Sequence, residues 1–139
     1  MRMIFAIPSL LWILLAYLGI VYLGGGGKTL YETIITFKLF SGATLAITTA
    51  GLLVLVGLVF LFFEVIKATR PSNISVIDHM LSTLVFIGFL IAFIAMPAAG
   101  NQFFLMLLIM SLFDVMAGFT VSIVSARRDI GLEDKQLTD

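Results

Sequence analysis

The chain has 139 residues, 61% hydrophobic and 12% charged, with a mean hydropathy of +1.19, against about 45–50% apolar and about 25% charged in soluble domains. Its eight basic and eight acidic residues cancel and are scattered, which argues against nucleic-acid binding. With no cysteine and one histidine, disulfides, thiol chemistry, thiolate metal sites and a histidine cluster within one protomer are excluded.

This composition predicts an integral membrane protein of the all-α class, built as a single membrane domain. No room is left for a soluble catalytic domain, and no catalytic, metal or nucleotide motif is present, so neither enzyme activity nor a cofactor is expected. The first apolar run, 3–23, carries no charge and is of membrane length, so it reads as a spanning helix. Pro8 falls near its start, where a missing amide costs least. A cleaved signal peptide would have a shorter apolar core and an A-x-A site. Gly24 to Gly27 reads as a flexible joint. Gly27-Lys28-Thr29 echoes the end of a phosphate-binding loop but lacks its spacing and its preceding strand.

Thr29 and Glu32 have capping-box spacing, which predicts a helix from Leu30, either interfacial or continuous with the second span. That span is placed at 40–66. Gly42, Ala46, Ala50, Leu53 and Gly57 line one face of it for close helix approach, and Thr48 and Thr49 are expected to hydrogen-bond between helices. Lys67, Arg70 and the turn at Pro71 to Asn73 form the next polar junction. Ser75 and Asp78 have cap spacing, which puts the Asp78 carboxylate at the positive end of the third helix. His79 beside it is expected to be solvated at the membrane boundary.

The third span, 78–97, carries Gly88 and Ala92 as a close-approach pair and ends at Pro97. The uncharged PAAGNQ turn predicts a tight antiparallel hairpin with the fourth span, 103–126. Arg127 and Arg128 stop that span, and 127–139 is expected to be a frayed polar tail. Four spans put both termini on one side. Placing that side in the cytoplasm gathers Arg2, Lys67, Arg70, Arg127, Arg128 and Lys135 inside and leaves Lys28 and Lys38 outside, so the expected topology is N-in, C-in. The Asn73-Ile74-Ser75 glycosylation pattern then faces the inner side and reads as a turn and cap. Glu64, Lys67, Arg70, Asp78, His79, Arg127 and Arg128 collect at an inner rim, where opposite charges form a network or meet anionic lipid head groups, an ordinary rather than a functional arrangement. Small size and the absence of targeting elements suggest a prokaryotic inner membrane.

Asp114 stands apart. Placed midway between Asn101 and Arg127, about 20 Å of helix from each, it reads as a midplane carboxylate, which costs at least about 2.5–3.5 kcal/mol when ionised. Ser111, Asp114, Gly118, Ser122 and Ser125 recur at helical spacing and form a protein-facing stripe, while Phe113, Met116 and Phe119 point elsewhere. No cation is expected at that depth in this chain. Three readings follow: a protonated acid bonded to Ser111 or a threonine of the second span, a partner for another subunit's cation, or a proton or cation site. The favoured function is a non-catalytic subunit of a larger membrane assembly, packing on other subunits or on itself. The alternative is a homo-oligomeric proton- or cation-coupled small transporter using Asp114. A lipid-acting enzyme is a distant third, because Asp78 and His79 are adjacent and point to different faces of a helix.

Overall fold

The computed structural model describes residues 7–69 and 75–136, without the side chains of 75, 76, 125, 126 and 128–136. The elements in chain order are α1 (Ser9–Leu23), β1 (Thr33–Lys38), β2 (Thr44–Thr48), α2 (Thr49–Ala68), α3 (Ser75–Ala95) and α4 (Gln102–Gln136). Three helical stretches are long and apolar enough to cross a membrane: Thr49–Ala68, Ile77–Ala95 and Gln102–Val124. The protein is thus a predominantly helical membrane protein.

The expected first span is shorter than its apolar run. Pro8 is the N-cap of α1, and the helix has 15 residues, about 22 Å. A proline disfavours helical backbone in the residue before it, so Ile7 stays outside; 3–6 lie beyond the described residues.

The predicted helix from Leu30 does not form. Thr29–Tyr31 makes one 3-10 turn, after which the chain enters the β1–β2 hairpin. The Thr29 hydroxyl donates to Gly24 O at 2.6 Å rather than capping a helix. The sequence TIITFK is rich in β-branched residues that fit a pleated ribbon, and Gly42, at φ +83°, supplies the left-handed residue that its tight turn requires. The second span therefore begins at Thr49, not Phe40. Gly42 and Ala46 belong to the hairpin and leave the small-residue face of α2 to Ala50, Leu53 and Gly57. Thr48 is the α2 N-cap, accepting from Gly51 N–H at 3.2 Å, and Thr49 bonds back to Glu32 O. Neither threonine bridges two helices.

α3 and α4 are antiparallel. Phe93 stacks with Phe104 beside the connecting turn, and His79 meets Phe119 at the other end, each pair with centroids 6.4 Å apart. Beyond Val124, α4 continues as helix to Gln136, so most of the expected frayed tail is helical, in keeping with its Leu, Glu, Lys and Gln residues. The turn predicted at Pro71 to Asn73, and with it the Asn73-Ile74-Ser75 pattern, lies outside the described residues.

α1 packs into the bundle through Leu10, Ile13, Leu14 and Tyr17, against Phe89 and Phe104 among others. The Tyr17 hydroxyl donates to Ala98 O and accepts from Asn101 Nδ2, both at 2.7 Å, while Asn101 Oδ1 caps α4 by accepting Phe104 N–H at 3.0 Å. This one residue pins α1 to the α3–α4 turn. Tyr17→Phe removes two buried bonds at once and is expected to cost about 1–2 kcal/mol, read as a lowered unfolding midpoint in detergent micelles. An unchanged midpoint would show that the pin carries no stability.

Candidate functional site

The polar residues converge at the end of the bundle opposite the α3–α4 turn. Glu64 lies near the end of α2 and is buried, its Oε1 accepting Ser9 N–H at 2.6 Å. Pro8 offers no capping side chain, so Glu64 satisfies an amide that α1 leaves open, and its charge sits at the positive end of that helix. Glu64 Oε2 pairs with Lys67 Nζ at 2.7 Å. Lys67 also reaches Asp78 in the first turn of α3, at 3.3 Å to Oδ1 and 3.2 Å to Oδ2. One ammonium thus bridges two carboxylates from two helices.

Asp114 stands next to this bridge. It lines one small pocket together with Glu64, Lys67, Asp78, His79, Ser82 and Gly118. Ser82 and Asp114 face each other across that pocket's lining. Asp114 falls near the middle of the membrane-length stretch Gln102–Val124, and the ends of α2 and α3 meet α4 at that level. α2 ends at Ala68 and α4 overshoots it by several turns. The expectation that no cation shares its depth fails, since Lys67 lines the same pocket.

Other expected residues divide. Ser111 is buried but donates to Leu108 O at 2.7 Å within its own helix, as helical serines do, and is not the partner of Asp114. Gly118 does belong to the site. A Cβ there would overlap the His79 ring, meeting Cε1 at 2.6 Å, so glycine is what lets the imidazole lie against α4. Ser122 sits one turn further on, in an apolar groove of about 420 Å³ with His79, Met80, Thr83, Leu84 and Phe119. His79 is buried rather than solvated, and Glu64 is buried rather than a surface rim charge. Arg127 is exposed. Arg70 and the Arg128 side chain lie outside the described residues.

Ser82 is the residue that sequence reasoning missed. Its signal was present: Ser82 follows Asp78 by four residues and His79 by three, about one helical turn on from each. Compared with protein-family profiles, curated proteins and solved structures, the chain matches none. Any functional reading rests on the cluster's own chemistry.

That chemistry is narrow. Among the described residues, three carboxylates face one lysine and one histidine, so acids outnumber cations. The space between them is about 10 Å³, at most a single water's worth. No group of three His, Asp or Glu among the described residues is placed to hold a metal ion.

Proposed function

We propose that the protein is a four-span membrane protein that binds and releases a proton at the Glu64, Lys67, Asp78, His79, Ser82 and Asp114 cluster, working as a small proton-coupled transporter rather than as an enzyme. The observation that supports this most is Asp114 inside an acid-rich pocket with room for little but a proton. Ionisable groups at this depth are costly and line ion or proton paths more often than they serve stability. The accessory-subunit reading drew on an acid without a partner in its own chain, and that motive weakens once Ser82 and Lys67 share its pocket.

The four-span topology is supported by α1 running beside the bundle from Glu64 to the α3–α4 turn. The positive-inside rule then puts the cluster on the cytoplasmic side with both termini, and a prokaryotic inner membrane remains the proposed location. Asp78 and Lys67 would pass protons between water and Asp114. Four spans enclose little cavity alone, so self-association completes the path.

The test uses vesicles with an entrapped pH dye and an imposed membrane potential. The native chain is expected to carry protons, and Asp114→Asn to cut the rate at least tenfold with helicity and oligomeric state unchanged. Absence of flux in the native chain, or full flux in the variant, sinks the proposal. Loss of association with other membrane proteins in the same variant would favour the subunit reading.

A further inference from the structure

The β1–β2 hairpin sorts its side chains by face. Ile35 pairs with Ile47 and Phe37 with Leu45, so these four apolar residues share one side of the ribbon. The other side carries Thr36 opposite Ala46 and Lys38 opposite Thr44, polar toward the turn, with Ile34 unpaired at a bulge near the base of the ribbon. Phe37 and Leu45 are 50% and 49% exposed, and Phe40 at the turn is fully exposed. A two-stranded ribbon with such a face left in water is marginally stable at best.

Three observations say what covers that face. The first is position. Thr49 N–H, at the start of α2, donates to Glu32 O at 3.0 Å just before β1, which ties both ends of the ribbon to the end of a membrane-length helix. Exposed Tyr22 and Tyr31 flank the same junction, as tyrosines do at a membrane–water interface. The second is continuity. Ile47 lines a groove with Val54 and Leu55 of α2 and Phe103 and Met106 of α4, so the apolar face runs on into the helix surface that meets lipid. The third is size. Two strands of about 17 Å at a spacing of about 4.8 Å give a footprint of about 160 Å², far below the roughly 800 Å² per partner of a stable protein interface. A second copy cannot be held by this face alone.

We propose that the hairpin is an interfacial anchor that lies on the bilayer, with Ile35, Phe37 and Leu45 in the boundary between head groups and acyl chains. Thr36 and Lys38 turn to water and the phosphate layer. The ribbon thus continues the membrane contact of α2 sideways along the surface.

The native chain has one tryptophan, Trp12, and no cysteine, which makes the test direct. The Trp12→Phe/Phe37→Trp chain is placed in phosphatidylcholine vesicles whose acyl chains carry bromine either near the head group or near the terminal methyl. Its emission is expected to be blue-shifted and quenched several-fold more by the shallow bromines than by the deep ones. The companion Trp12→Phe/Thr36→Trp chain is expected to emit as an indole in water and to be quenched by iodide. A nitroxide on Leu45→Cys is expected to collide more with oxygen than with a water-soluble nickel chelate, which keeps the test alive if an indole perturbs the ribbon. Indistinguishable spectra for F37W and T36W, or a nitroxide favouring the nickel chelate, overturn the proposal. So does an F37W signal that bromines leave untouched but that changes when protein is diluted in lipid, because the covering surface is then a second copy.

Discussion

Lys67→Met is expected to destabilise the protein by about 3 kcal/mol. Lys67 holds Glu64 at 2.7 Å and Asp78 at 3.2 Å, and deleting one member of a buried ionic group leaves the other charges without compensation, a loss of about 3–5 kcal/mol. The lysine side chain is 31% exposed and that of Glu64 8%, which places the effect at the lower end. The loss has a second route. Glu64 also accepts the Ser9 amide, so a displaced Glu64 uncaps α1 and loosens its docking. Lys67→Arg keeps the charge and should recover most of the stability. Unfolding midpoints in detergent micelles decide the matter; a loss below about 0.5 kcal/mol would class the bridge with ordinary surface pairs.

Gly118→Ala is expected to cost about 2–3 kcal/mol, although alanine is the better helix former. The added methyl would overlap the His79 ring, and His79 is buried between α3 and α4, so either the ring leaves its place or the helices part. The sign should reverse in a His79→Ala background. With the ring gone, alanine at 118 gains up to about 1 kcal/mol over glycine from backbone propensity. The double-mutant cycle therefore carries a coupling of about 3 kcal/mol, the size expected for side chains in direct contact. Additive effects would mean that Gly118 serves the helix and not the imidazole.

Some of the site was legible in the chain and some was not. Asp114 and Gly118 stood on one helical stripe, and Glu64, Lys67, Asp78 and His79 were visible as charged or titratable residues near one end of their helices. Their union was not, because spacing along one helix says which face a residue takes and nothing about the level at which a neighbouring helix ends. α4 outruns α2, so the end of α2 meets α4 at Asp114 and Gly118 rather than at Arg127. The hairpin was misread for a different reason. Thr29 and Glu32 satisfied a local helix-start pattern, but no helical apolar stripe followed, and the β-branched run that did follow pairs with a strand whose own sequence had been assigned to a span.

Run length and composition alone point to a membrane protein of long apolar helices, the last two doubling back at Pro97, although of the four spans expected only three reach membrane length. Those properties follow from hydrophobic run length, charge placement and turn residues, all of them local. Only the tertiary structure decided that Thr49 and not Phe40 opens α2, that Glu64 closes the start of α1, and that Asp114 meets Ser82 beside Lys67. Each depends on contacts between residues far apart in the chain, whose relative heights are set by how the helices pack.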